Sequence, residues 1–298
     1  MTTVQPGVAG AELVGLAPRV PRRRILLRRF LRRPLAVVSL AIVLVCVLAA
    51  VFAPVLAPYD PDATDFDALF ASPSSEHWLG TDELGRDVYS RILYGARASM
   101  VAGVLATLLA MAVAVPFGLV SGYFGGWSDP VIMRLTDVLL AFPFLILAVG
   151  LAAILGPSLK NATLALGIAA IPGLVRITRG EALVLREEDY VRAAVANGAS
   201  DPVIIARHIL PNMTSTLIVQ ATLTIPAAII GEAVLSFLGL GVQPPTPSWG
   251  VMISSAQTYL TEEPLLTIFP GLAIFFATLA FNLLGDGLRD VLDPRTVS

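Results

Sequence analysis

Residues 35–57 read LAVVSLAIVLVCVLAAVFAPVLA, and Ser39 is the one polar side chain among the 23. A hydrocarbon core roughly 30 Å thick needs about twenty such residues of helix to cross it. The pattern recurs outward along the chain. Ser99–Val120 supplies 22 residues without a charge, and Val138–Leu155 supplies 18. Met213–Val242 carries one acid, Glu232, and Leu265–Leu284 is a last apolar run. Across all 298 residues 56% are hydrophobic and 14% charged, with a mean hydropathy of +0.78. Soluble domains carry about 25% charged residues. The composition therefore points to an all-α polytopic membrane protein.

What the chain lacks narrows its chemistry. One cysteine, Cys46, cannot pair within the chain, and a net charge of −2 argues against a nucleic-acid partner. The sole lysine, Lys160, is followed by Asn161, so the nucleotide loop G-x-x-x-x-G-K-[ST] is missing. No cofactor, metal or catalytic residue is expected in this chain. The acidic run Asp60–Asp67 lacks the glycine and distal glutamate of a calcium loop, and His77 has no Cys or second His nearby for a zinc site. Serine–histidine or paired-aspartate chemistry inside a span finds no residues to use, since His77 and His208 both lie outside the apolar runs.

Between Lys160 and Arg176 lies a marginal sixth span, weakened at its inner end by Pro172-Gly173. Arginine and lysine collect on the cytoplasmic side. Six spans with both termini inside place 16 Arg and Lys in cytoplasmic segments and four outside, namely Arg86, Arg91, Arg97 and Lys160. Five spans would turn the arginine-rich 176–212 segment outward, so the reading is six. The expected organisation is a basic arm (1–34), a first span (35–57), an extracytoplasmic loop (58–97), a five-span core (98–288) and a tail (289–298). Residues 35–57 are too long for a signal peptide's apolar region and are read as retained. Residues 1–18 show no periodicity. From Arg22 to Arg33, Leu26, Leu27, Phe30 and Leu31 share one helical face opposite the arginines, as an interfacial helix on anionic membrane lipid would.

The 176–212 segment reads RITRGEALVLREEDYVRAAVANGASDPVIIARHILPN. One helix, Glu181–Asn197, is expected to close at Gly198, where a left-handed residue is needed. Asp201 and Pro202 then start a second, with Asp201 as N-cap, presenting Val203, Ile204, Ile205 and Ile209 and stopping at Pro211. An elbow with an apolar tip fits a protein groove better than it fits water.

Here the chain resembles a known family. Ala193-Ala194, three residues, Gly198 and then Leu210-Pro211 resemble the EAA loop of binding-protein-dependent ABC importer permeases. Two positions depart from that loop: Arg192 stands where glutamate is general, and His208 where isoleucine is general. Both departures, and Arg207–Asn212 (RHILPN), are similar to the peptide-importer branch. So are His77–Met100 (HWLGTDELGRDVYSRILYGARASM), Gly231–Gly250 (GEAVLSFLGLGVQPPTPSWG) and Asp286–Pro294 (DGLRDVLDP). The resemblance spans about residues 25–295 and is to the C-type permease of dipeptide, oligopeptide or nickel importers.

That resemblance implies a type I importer permease in a bacterial plasma membrane. It implies a second permease subunit, two ATPase subunits or one fused ATPase holding ATP and Mg, and an extracytoplasmic binding protein. The elbow would be the ATPase-coupling element, with Tyr190, Ala193, Ala194, Gly198, Asp201, Val203, Ile204, Ile205, Arg207, His208, Leu210 and Pro211 as its residues. Peptides are the favoured cargo; nickel or another small solute is the alternative. An ion-coupled transporter would show inverted repeats and paired midplane charges, which are absent from the sequence. Glu232 is read as a carboxylate bonded to neighbouring hydroxyls or backbone, with a pore-facing role as the alternative. Arg134 and Asp137 are expected to pair along one helix.

Overall fold

A computed structural model of the chain describes residues 28–292. Residues 1–18, the first half of the arginine-rich helix and the end of the tail lie outside the described residues. The chain enters α1 (Pro34–Leu56), then crosses a loop to α2 (Val88–Leu119), which ends in a wide π-helical turn at Val120–Phe124. There follow α3 (Ser128–Leu140), α4 (Phe144–Leu155), α5 (Leu159–Arg186) and α6 (Asp189–Ala196). The last elements are α7 (Asp201–Ile204), α8 (Leu210–Phe237), α9 (Trp249–Ala256) and α10 (Leu265–Leu292).

Five of these are long and apolar enough to cross a membrane: α1, α2, α5, the continuous α7–α8 and α10. The expected third span, Val138–Leu155, is not one helix. It is broken at Ala141–Pro143, and α3 and α4 meet at 87°. Pro143 offers no N–H to extend α3 and disfavours helical backbone at Phe142, so the helix restarts after it.

Packing shows that this bent pair must still carry the chain across. Small residues recur every fourth position of α2, at Ala98, Ala102, Ala106, Ala110, Ala114, Gly118 and Gly122, and all are buried. Such a stripe lets two backbones approach closely in lipid, where van der Waals contact drives association. A Cβ at Gly118 would lie 2.5 Å from Thr178 Cβ, and one at Gly122 2.7 Å from Ala182 Cβ. A Cβ at Gly167 would lie 2.6 Å from Leu109 Cδ2 and 3.1 Å from Ala106 O. Rising numbers on α2 thus meet rising numbers on α5, so the two run parallel. The chain between them has to return to the starting side, and α3–α4 is the segment that does so. The count is six.

α8 runs antiparallel to α2, and α10 runs antiparallel to α8 and α1. Met213 meets Leu119 in one cluster, Ile229 presses on Gly103, and Glu232 reaches Ser99. Gly285 and Gly287 of α10 seat against Thr222 and Ala36. At the same end Arg33 donates to Asp290, so the start of α1 and the end of α10 lie together.

Several helix limits differ from the sequence reading. The second span starts at Val88, eleven residues before Ser99, because Asp87 caps it: its carboxylate accepts from Ser90 N at 2.8 Å and Ser90 Oγ at 2.7 Å. The helix after Lys160 continues through Pro172 to Arg186. Pro172 is buried inside it and costs that helix only one ladder bond. Asp137 pairs not with Arg134 but with Arg176 of α5, at 2.6 Å.

On the face opposite the start of α1 and the end of α10, the 57–87 loop is tied down by charge. Asp82 accepts from Leu84 N, Arg86 N and Arg86 Nε at 2.8–3.0 Å, and Arg86 also reaches Glu83 at 2.8 Å. Arg91 of α2 donates to Pro61 O at 2.7 Å and lies 3.5 Å from Asp82. His77 meets Asp87 at 3.0 Å and stacks beside Tyr59. The turn needs glycine at 85: φ is +72°, and a Cβ there would fall 1.7 Å from Asp65 O.

Candidate functional site

The elbow begins where α5 gives out. Glu187 and Glu188 form a turn, so the helix expected over Glu181–Asn197 is divided into the end of α5 and the separate α6. Glu187 sits between two guanidiniums, Arg186 and Arg192, each at 3.1 Å. Their hydrogen bonds, that of Arg192 foremost, hold its carboxyl below the ordinary carboxylate range. Arg192 therefore binds across the turn to an acid. Burial, with Glu188 beside it, raises the Tyr190 phenol above its ordinary value.

The end of α6 closes as the sequence predicts. Gly198 takes φ +77°, Gly198 N donates to Val195 O at 2.9 Å and Ala199 N to Ala194 O at 3.1 Å. This paired closure satisfies carbonyls the helix leaves open, and Ala194 and Ala199 pack on one cluster beneath it. Among the described residues a Cβ at Gly198 would meet nothing within 4 Å. The bend is open to the outside.

Beyond it the structure departs from the reading. Ser200, not Asp201, is the N-cap of α7, and Asp201 instead accepts from Tyr123 Oη at 2.7 Å. The helix does not stop at Pro211. It passes through a π-helical turn, Ile205–Ile209, into α8, making one helix from Asp201 to Phe237. The wide turn adjusts the backbone ahead of Pro211, which sits in the first turn of α8, where its missing N–H is harmless.

The apolar tip is also divided. Val203 is 40% exposed, whereas Ile204 and Ile209 are fully buried with Leu119, Ala182, Val191 and Met213. Ile205 is half-buried on the same cluster, and His208, 6.4 Å from the Tyr190 ring, is partly covered. The outward face consists of Ala193, Val195, Ala196, Gly198, Pro202, Val203, Ala206 and Arg207. Val195 is 56% exposed, which the sequence reading missed; its place three residues after Arg192, on the charged face of the short helix, is the signal that could have found it. Tyr190, Leu210 and Pro211 flank this face and are exposed.

Beside the elbow, on the same face of the bundle, lies a cleft of about 630 Å³. One stripe of α8 lines it, Asn212, Ser215, Thr216, Val219, Gln220 and Leu223, opposite Glu181 and Arg289. Apart from Asn212, at the end of RHILPN, none of these α8 residues had stood out in the sequence; four polar side chains on one face of an apolar span were the available clue.

Glu232 lies near the opposite end of α8 and is fully buried. Ser99 of α2 donates to one oxygen at 2.7 Å and Ser236 to the other at 2.6 Å. Ser236 Oγ also accepts from Val242 N at 3.0 Å, which ties the following loop to the carboxylate. Within this chain Glu232 joins α2 and α8.

The chain matches a family described as binding-protein-dependent transport system inner membrane component over residues 114–298. Residues 22–73 match the N-terminal TM domain of oligopeptide transport permease C. It is 47% identical over 272 residues to a glutathione transport system permease protein GsiD of Pectobacterium atrosepticum, covering 91% of this chain and 90% of that one. It is 46% identical over 269 residues to the protein of that name in Escherichia coli, covering 90% and 89%.

Proposed function

The chain belongs to the family of binding-protein-dependent transport system inner membrane components, and on that premise we propose that it is half of an ATP-driven importer's pathway for peptide-like solutes. It is a multi-pass inner-membrane permease subunit. A sister permease supplies the other half as a heterodimer. Two ATPase subunits, or one fused ATPase, sit on the elbow and hold ATP and Mg. A binding protein delivers cargo at the opposite, extracytoplasmic face. The elbow and both termini are cytoplasmic, which the arginine distribution supports. Peptide cargo is supported by relatives named for glutathione, a tripeptide.

The observation that carries the coupling role is the elbow's division into a buried inner side and an open outer one. Ile204 and Ile209 key it to α2 and α5, while Val195, Val203 and Arg207 remain available to a partner. Burying those side chains against an ATPase contributes roughly 25 cal/mol per Å² of apolar surface. ATP shifts the transporter only if the two states differ in affinity for it, and ATPase closure supplies that difference. A push at Val203–Arg207 acts on one helix of 37 residues running from Asp201 to Phe237. At about 1.5 Å per residue it is long enough to carry displacement from one face to the other. Near its far end, Glu232 passes that movement to α2 and to the loop before α9. The 630 Å³ cleft beside the elbow serves as the cytoplasmic exit, within the roughly 300–1,000 Å³ of small-solute sites.

The test is affinity purification in mild detergent, with identification of bound subunits and an ATPase assay. A second permease, ATPase subunits and stimulation by a peptide-loaded binding protein are expected. A lone protein that leaves ATP hydrolysis unchanged after a complex-preserving purification would refute the reading.

A further inference from the structure

Where α1 meets the end of α10, the molecule has a basic corner that neither coupling nor the cleft uses. Residues 28–31 form a helical turn, the chain bends at Arg32, and α1 starts at Pro34. Phe30 packs onto the core shared by α1 and α10, so this turn is seated on the bundle. Beside it is a cavity of about 350 Å³ lined by Arg29, Arg32, Arg33, Asp290 and Val291. Three guanidiniums share it with one carboxylate, and that carboxylate already accepts from Arg33. Leu31 and Leu35, 61% and 67% exposed, lie at the same level. The corner thus combines a positively charged cavity with an apolar wall, at the point where a spanning helix leaves the hydrocarbon.

We propose that this cavity binds the phosphate of an anionic phospholipid headgroup, with the acyl chains lying along Leu31, Leu35 and Val38. Guanidinium groups present paired donors that match phosphate oxygens, and basic pockets beside spanning helices at the membrane surface suit anionic headgroups. Free phosphate offers the same oxygens, but it leaves the apolar wall uncovered; the wall assigns the site to lipid. Bound there, the lipid bridges the arm and α10 and reinforces the Arg33–Asp290 pair.

The test follows the unfolding midpoint of the full chain in neutral detergent, with added dioleoyl-phosphatidylglycerol, dioleoyl-phosphatidylcholine or inorganic phosphate. Phosphatidylglycerol should raise the midpoint by a few degrees, and the other two should not. Arg29→Ala with Arg32→Ala should abolish that rise. Arg28→Ala, a neighbouring charge that does not line the cavity, should keep it. Arg29→Lys with Arg32→Lys, which conserves charge, should raise the half-saturating lipid concentration several-fold. An equal rise with phosphatidylcholine, an unchanged response in either double variant, or an equal loss in Arg28→Ala would overturn the site. An equal rise with inorganic phosphate would overturn the lipid assignment. The readout needs neither ATPase nor cargo, so it stands or falls apart from the importer reading.

Discussion

The two ends of the bundle are finished by opposite means. At the 57–87 loop, buried charges close on one another: Asp82, Arg86 and Arg91 are at most 7% exposed, and Asp82 and Arg86 satisfy each other directly. At the elbow, apolar side chains fix one side and the other side is left open. Each region turns at a glycine of positive φ, Gly85 at +72° and Gly198 at +77°. At Gly85 a Cβ would strike Asp65 O, while at Gly198 it would meet empty space. The same backbone requirement therefore serves a closed scaffold in one place and a free surface in the other.

That contrast can be broken most severely at the closed end. Gly85→Ala forces a Cβ into backbone and opens a buried ion cluster, whose disruption costs about 3–5 kcal/mol. The variant should accumulate poorly and lose its monodisperse peak in detergent size-exclusion. Gly198→Trp should instead cost only the left-handed backbone penalty of about 1–2 kcal/mol. It should insert normally yet lose at least about tenfold of coupled ATPase activity, equivalent to roughly 1.4 kcal/mol. Coupled activity equal to wild type would show that the open face is idle.

Glu232→Gln sharpens the comparison from within the membrane. It replaces one acceptor oxygen with a donor facing a serine hydroxyl, at a cost of about 1–3 kcal/mol. A lowered unfolding midpoint is expected, with the chain still folded. The smallest effect belongs to Glu187, whose side chain is exposed. Its folded pKa is depressed, so its contribution is present above the unfolded value of about 4.3 and lost as pH falls through the folded one. The midpoint difference between wild type and Arg192→Ala should be measurable at pH 7 and vanish in strong acid. A difference that persisted there would assign Arg192 a role other than pairing with Glu187.

Much of this architecture was legible before any coordinates. Hydropathy marked the spans and arginine counting required six of them; the parallel packing of α2 on α5 requires six by an unrelated argument. Gly198 was legible because a helix closure of that type needs positive φ and little else. One misreading was local: the start at Val88 follows from the Asp87 cap. The helix end at Arg186, the break at Glu187 and the continuation through Pro211 depend on what packs beside them. So do the partner of Asp137, which comes from α5, and the small-residue stripe of α2, which means little until α5 lies against it.

Length, apolarity and the local needs of glycine are properties of a segment, and the chain alone carries them: six crossings and an elbow closed at Gly198. Which isoleucines of the elbow turn inward is a property of surfaces brought together. Ile204 and Ile209 are indistinguishable from Val203 by composition. They are buried because α2 and α5 end beside them, whereas Val203 stays 40% exposed among the described residues.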